Sequence, residues 1–477
     1  MATGQESTVE FQPAPPAAVQ ELARQVRGAV LLPWDEDFAA ECAGFNWSAD
    51  HRPTFVIVAE GAADVRAAVR IAAAYDLPVT VQATGHGISA PADGGLLIST
   101  RRMNGVAVDP AARTARVEAG TPWHKVIRAA AAHGLAPLNG SSHLVGVVGY
   151  TLGGGLGLLA RKYGYAADHV TRMELVTADG HCRTVTRDQH AALFWALRGG
   201  KGNFGIVTAM EFALMPVTRL YGGGLFFDGA AAGEVLRGWR DWTRELPEEM
   251  TTSLALLRLP DLPEVPDLLR DRLMVHVRIA YQGPVADGEK LVQPLRSITA
   301  PVLDTVADMP YTAVQDIHQD PTHPMPYHER SIVLRELDQR AVDRLTALAG
   351  PGSGCGDLMV ELRLLGGALG RPAPVPNAVG NREGAYTLST LSPAVPRGSV
   401  ADAGGSEVLD GMTPWGTGGR YLNFLGGPAT AGSDYVRACY DADTYRRLAE
   451  IKAVHDPRNL FRFNHNIAPT EGLSHDQ

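Results

Sequence analysis

His86 stands between two glycines in Val81-Gln82-Ala83-Thr84-Gly85-His86-Gly87, just after an apolar β-type run. Bare backbone on both sides lets something large and flat approach an imidazole, and admits left-handed conformations. Two more glycine-rich loops follow, from Gly140 to Gly157 and over residues 199–205. Each glycine costs about 0.5–1 kcal/mol against alanine in ordered structure. Two or three of them are expected to serve packing alone. The set as a whole implies backbone N–H groups brought close to a large anionic ligand.

Two stretches match the dinucleotide fingerprint. Gly200-x-Gly202-x-x-Gly205 lies after a helix and before a strand, the reverse of the required order. Gly155-x-Gly157-x-x-Ala160 follows a β-like run, Leu144 to Leu152, and Asp179 stands where a ribose-binding acid is expected. A Rossmann-type NAD(P) dehydrogenase is therefore the alternative reading. Against it, Asp179-Gly180 turns straight back as a hairpin, whereas a Rossmann unit continues into a parallel crossover. There is no P-loop, no H-E-x-x-H and no G-x-S-x-G. His318, His323 and His328 recur at intervals of five with prolines between them, which suits a solvated loop and no metal site. Cys42, Cys182, Cys355 and Cys439 show no C-x-x-C spacing, so neither a disulfide framework nor a zinc site is indicated.

The elements that must position these residues fit a chain of 477 residues, long enough for two domains. A hydrophobic content of 45% and a charged content of 20% are ordinary for a globular protein. A net charge of −9 gives no electrostatic case for nucleic acid or an anionic membrane. No apolar run approaches the roughly 18 residues of a membrane span. The acidic, proline-bearing start lacks signal-peptide character, so residues 1–29 are read as a flexible tail and the location as cytoplasmic.

Strands are expected at 54–59, 78–83, 95–100, 105–109, 113–119, 173–177, 181–186 and 205–214. Helices are expected at 62–75, 122–133 (capped by Thr121) and 189–197. Short connections between these strands suggest antiparallel neighbours. From about 218 the texture is richer in Pro and Leu, with strand candidates at 221–227, 271–281, 357–365 and 384–391. Helix candidates there are 230–244, 287–297 and 336–348. The fold class is α+β throughout.

The set of motifs resembles the FAD-linked oxidases with the vanillyl-alcohol-oxidase (PCMH-type) flavin domain, and more closely the berberine-bridge-enzyme-like branch. The matching pieces are Pro78 to His86, Asp93 to Leu96, Val117 to Gly120, Thr151 to Gly164, Phe194 to Gly200 and Asn203 to Thr208. At the C-terminus they are Tyr421-x-Asn423, Tyr445 to Leu448, Ile451-Lys452 and Asp456 to Ile467. They cover the first 215 residues and the last sixty well. The middle matches chiefly at Glu361-Leu362-Arg363 and Leu365 to Ala368.

The resemblance implies a PCMH-type FAD-binding domain over 30–216, a substrate domain with an antiparallel sheet over 217–429, and a C-terminal segment over 430–477 returning to the first domain. It implies FAD held by Ala83, Thr84, Gly85, His86, Gly87, Ser142, Gly146, Gly149, Gly153, Gly154, Gly155, Gly157, Gly205, Ile206, Val207, Asn464 and Asn466. In this family the histidine after glycine carries the flavin through its 8α-methyl carbon, which assigns His86 as a covalent link. Ser142 stands where bicovalent members have cysteine, so one covalent bond at most is expected. Many relatives have Arg-Gly-Gly-Gly-His where this chain has Gln82 to His86. The implied reaction is hydride transfer from a bulky alcohol, amine or phenol to flavin N5 and then to O2, in bacterial secondary metabolism. A redox-neutral cyclase is a further alternative. Tyr421 is the implied proton acceptor, and Asn423 orients it or holds the flavin. Glu361 and Arg363 share a strand face, facing either the substrate or each other as an ordinary ion pair. Tyr386 and His328 complete the candidate substrate contacts.

Overall fold

A computed structural model describes residues 14–48, 51–88, 90–261, 263, 265–394, 406–427, 430 and 432–470. Three sheets organise them. The first contains β1 (Ala29–Leu31), β2 (Phe55–Val58), β3 (Val79–Gln82) and β4 (Leu96–Ser99) in the order β1-β2-β4-β3. Here β4 lies parallel to both β2 and β3, where antiparallel neighbours were expected. Two long connections allow this: the helix Ala62–Ala74 between β2 and β3, and the stretch 83–95 between β3 and β4. β2 and β4 are buried along their whole length, the pattern of a sheet covered on both faces.

The expected tail is corrected from residue 16 onward. Pro16–Gln25 is a helix, with proline preset for its first turn, and it buries Ala18 and Leu22 against the core of this sheet. Residues 1–13 lie outside the described residues.

The second sheet has β5 (Val106–Asp109), β6 (Thr114–Glu118), β7 (Val170–Val176), β8 (Cys182–Val185) and β9 (Ile206–Ala213) in the order β5-β6-β9-β7-β8. The β7–β8 hairpin turns at Asp179-Gly180, with Gly180 at a φ of 71°. The β-like reading of Leu144 to Leu152 is corrected. Only Val145 and Gly146 are extended against the Thr121–Trp123 segment; the chain then turns into the helix Val147–Leu152, burying Val147, Val148 and Leu152. β7 pairs only with antiparallel neighbours, so the parallel crossover needed by the nicotinamide alternative is missing from 144–179. Thr121 does not cap the following helix; its hydroxyl donates to the Gly105 carbonyl.

The third sheet is antiparallel. Its strands are β10 (Arg219–Asp228), β11 (Met250–Leu259), β12 (Arg272–Tyr281), β13 (Leu303–Asp304), β14 (Ala307–Pro310), β15 (Tyr327–Leu334), β16 (Met359–Leu364) and β17 (Tyr386–Pro393). The order is β13-β10-β12-β11-β16-β17-β15, with β14 also on β10. Val277, Ile279, Val360 and Leu362 alternate onto one face, where they pack with Trp239, Val342 and Leu345 of the covering helices. That alternation sends Arg278, Glu361 and Arg363 to the other face. β11 and β15 escaped the sequence pattern: β11 carries helix-favouring Leu-Ala-Leu-Leu, and β15 hides His328, Glu329 and Arg330 inside a strand.

The C-terminal segment forms two helices, Ser433–Arg437 and Ala442–His455, the second capped where Asp441 accepts from the Thr444 amide. The chain then docks on the first sheet. The Val79 amide donates to the Leu460 carbonyl and the Thr80 hydroxyl to the Phe463 carbonyl. A fully buried ion pair fixes this return: Lys452 Nζ lies 2.5 Å from Asp456 and 2.8 Å from the Asn203 carbonyl of the third glycine loop.

Candidate active site

A single cavity of about 1160 Å³ runs from the glycine loops to the polar face of the third sheet. Its size exceeds that of an ordinary small-ligand pocket, roughly 300–1,000 Å³. One end is walled by Ala83 to Gly87, Ser142, Gly146, Gly149, Gly205, Ile206, Val207 and Asn464; the other by Arg278, His318, Asp320, Tyr327, Glu329, Met359, Arg363 and Asn423.

His86 is held firmly in this wall. Its ring stacks on Phe45 with centroids 4.0 Å apart, Nδ1 lies 2.9 Å from the Thr84 hydroxyl, and Nε2 has no partner among the described residues. Burial lowers its pKa to about 4, so the imidazole is neutral at neutral pH. The Thr84 oxygen also accepts from the Gly146 amide, joining the first two glycine loops. Gly85 has a φ of 69°, and a Cβ there would sit 2.4 Å from Gly44 Cα, so this position requires glycine.

Several candidate residues fall elsewhere. Gly153, Gly154, Gly155 and Gly157 do not line the cavity. A Cβ on Gly155 would strike the Tyr150 ring at 2.6 Å, and one on Gly157 the Asn139 carbonyl at 2.3 Å, so these are packing glycines. Gly153 is where Asn423 and Lys201 converge, with a Cβ there 2.1 Å from Asn423 Oδ1 and 2.7 Å from Lys201 Cε. Asn466 also stands off the cavity wall, although its Oδ1 is buried without a partner among the described residues.

Tyr421 is corrected as proton acceptor. It is buried, its hydroxyl donates to the Asn381 carbonyl at 2.8 Å and accepts from Tyr165 at 2.7 Å, and it does not reach the cavity. Burial raises its pKa, which further disfavours the phenolate. Asn423 does line the cavity, with Nδ2 donating to the Tyr150 carbonyl at 2.8 Å.

Glu361 is corrected as a substrate contact. It is wholly buried behind the wall, accepting from Ser253 at 2.8 Å, from Arg363 Nε at 2.8 Å and from Arg278. Burial alone would raise its pKa; the two guanidinium groups outweigh it and hold the carboxylate ionised. Glu361 thus positions Arg363, whose guanidinium lies over the Phe424 ring at 5.0 Å and reaches the cavity. Tyr386 belongs to the opposite face, bonded to Thr243 at 3.0 Å among the core helices. His328 also points away, toward Gly427. The expected solvated loop at 318–328 instead forms cavity wall at residues 318–325 and buries His318.

Sequence reasoning missed Lys201, Tyr327 and Glu329. Lys201 is a lone cation inside a glycine run, and it makes no ion pair with the described residues. Tyr327 and Glu329 alternate on β15, a period-two signal obscured by their charged neighbours. Among the described residues no helix is long and apolar enough to cross a membrane, and no three ligating side chains cluster as for a metal.

A family model of the FAD binding domain matches residues 53–186, and one described as berberine and berberine like matches residues 420–468. These two stretches supply His86 and Asn464, both on the cavity wall. The chain thus carries an FAD binding domain and a berberine-like C-terminal segment, and it is similar to FAD-linked oxidoreductases. Its relatives include (R)-6-hydroxynicotine oxidase of Paenarthrobacter nicotinovorans, 28% identical over 93% of this chain and 97% of that one. The crystal structure of 6-hydroxy-D-nicotine oxidase from Arthrobacter nicotinovorans superposes with a TM-score of 0.77 at 26% identity, covering 93% of this chain and 98% of that one. Physcomitrella patens BBE-like 1 shares the fold with a TM-score of 0.81 at 19% identity, covering 95% and 99% of the two chains.

The wall of this protein fits FAD. A Cβ on Gly149 would meet nothing within 4 Å, and one on Gly87 only Lys201 Nζ at 3.9 Å, so both open onto free space. His86 Nε2, Tyr150 Oη and Asn464 Oδ1 are buried at the wall and unpaired among the described residues. Buried polar atoms seldom remain so without a ligand or water.

Proposed function

We propose that this FAD-linked oxidoreductase is an oxidase of a bulky small molecule bearing an alcohol, amine or phenol, with FAD attached covalently to His86 and O2 as the final acceptor. The observation that carries the reading is the single cavity joining the His86 wall to the polar face of the third sheet. Bound FAD supplies a two-electron acceptor for hydride from the substrate carbon.

The chain supplies the rest. A neutral His86 imidazole is a competent nucleophile, and the Thr84 contact and the Phe45 stack fix its plane. Ser142 offers no thiol for a second bond. Leu257, Leu259, Val265, Met359, Leu391 and Phe424 give the substrate end an apolar lining that excludes water from a ring-bearing molecule. Arg363 offers Nη donors without an acceptor among the described residues, suited to orienting a substrate oxygen. A nitrogenous ring such as that named for the hydroxynicotine oxidase relative fits this mixture of apolar wall and few charges.

The test is to load the protein with FAD and screen aromatic alcohols, phenols and cyclic amines, including 6-hydroxynicotine, for flavin bleaching without oxygen and peroxide formation with it. Bleaching followed by reoxidation supports the oxidase. A yellow protein that converts a substrate without consuming oxygen would instead be a redox-neutral cyclase.

A further inference from the structure

Glu329 projects from β15 into the cavity, two residues along the strand from Tyr327, which also lines it. Its backbone is clamped from both sides of the peptide: the Glu329 amide donates to the Gly426 carbonyl at 3.0 Å, and the Gly426 amide donates back at 2.9 Å. Gly426 follows the loop that carries Asn423 and Phe424, also on the wall. The carboxyl itself has no hydrogen-bond or ion-pair partner among the described residues, in contrast to Glu361, which is saturated by two arginines and a serine.

We propose that Glu329 is the proton acceptor for the substrate's O–H or N–H, and that Lys201 of the third glycine loop favours its ionised form. The proposal rests on the oxidase reading above. The proton on the substrate oxygen or nitrogen would pass to the Glu329 carboxylate, while bound FAD would supply the acceptor for the hydride of the neighbouring carbon. The substrate leaves with a new C=O or C=N bond and the carboxyl ends neutral.

The surroundings single out this group. Tyr421 is committed to Asn381 and Tyr165 away from the cavity. His318 reaches the wall, but it lies 3.8 Å from Glu361, and burial with Arg278 and Arg363 alongside drives its pKa far down, making it a poor base. Asp320 sits on a loop rather than a strand. The charges facing Glu329 are Arg363, Glu361, Asp320 and Lys201. Burial raises the Glu329 pKa to about 8 and lowers that of Lys201 to about 8. A base poised near the working pH is the effective kind.

Only the carboxylate accepts a proton, so activity must rise as pH climbs through about 8. Two measurements on the FAD-loaded protein test this. In the first, the visible spectrum is titrated from about pH 6 to 10. Because Lys201 also titrates near pH 8, the transition is read in Lys201→Gln, where it is expected above pH 8, and it is expected to vanish in the double variant Lys201→Gln/Glu329→Gln. No transition in Lys201→Gln, or an unchanged one in the double variant, overturns the assignment. In the second, anaerobic flavin reduction by the fastest substrate of the screen is expected to slow about 100-fold or more in Glu329→Gln at unchanged flavin content, with partial rescue by Glu329→Asp. A Glu329→Gln rate within about threefold of wild type would equally overturn it. A protein that takes up no flavin at all would fail the oxidase reading itself, which is a separate and visible outcome.

Discussion

The Tyr327 hydroxyl donates to the His86 carbonyl oxygen across 3.0 Å. This bond ties β15 of the third sheet to the loop that carries the imidazole, so the substrate wall and the cofactor wall are positioned against one another. Tyr327→Phe leaves a part-buried carbonyl without its donor, a loss of about 1 kcal/mol. The expected result is a lower melting temperature and slower covalent flavin incorporation, read as the flavin remaining with acid-precipitated protein over time.

Gly149 offers a cleaner probe of the cofactor wall. Its Cβ would enter free space and its backbone is helical, so a side chain there strains nothing. Gly149→Leu is expected to give a folded, monodisperse protein with near-native circular dichroism and no yellow colour, because the side chain occupies the volume the flavin needs. Normal FAD binding by this variant would move the cofactor away from that wall.

Glu361 predicts a stability effect rather than a direct contact effect. Removing a buried acid shared by Arg278 and Arg363 leaves two guanidinium groups facing one another, at about 3–5 kcal/mol. Glu361→Gln should lower the urea midpoint markedly. A change in activity without loss of stability would mean that Glu361 contacts the substrate after all.

The raised pKa of Glu329 makes a sign-definite prediction about pH. A carboxyl whose folded value is about 8, against roughly 4.3 unfolded, contributes stability that is fully present below about pH 4 and lost as pH rises through 8. The melting temperature of the wild type should therefore fall relative to Glu329→Gln between about pH 5 and 9. Parallel curves for the two proteins would contradict this.

Much of the α+β architecture was legible because its elements announce themselves locally. The helix at Ala62–Ala74 has clean helical spacing, and Asp179-Gly180 marks its hairpin. The cofactor wall was legible because glycine is a costly residue that clusters for a reason. The parallel pairing of β2, β3 and β4 was not, since strand direction depends on the path of a crossover rather than on residue type. Nor was the fate of Tyr421, whose hydroxyl is claimed by Tyr165 and Asn381, residues 256 and 40 positions away. Glu329 was hidden because a carboxylate in a strand normally marks the solvent face, and only the cavity reveals that this one is enclosed.

The central claim is that the cavity holds FAD on His86. The most direct measurement is to denature FAD-loaded wild type and His86→Ala in acid, separate protein from small molecules, and read visible absorbance and intact mass of the protein fraction. The account predicts flavin retained by the wild type and released by His86→Ala. Flavin released from both proteins would contradict the covalent link, and a wild type that stays colourless after FAD addition would contradict the cofactor site altogether.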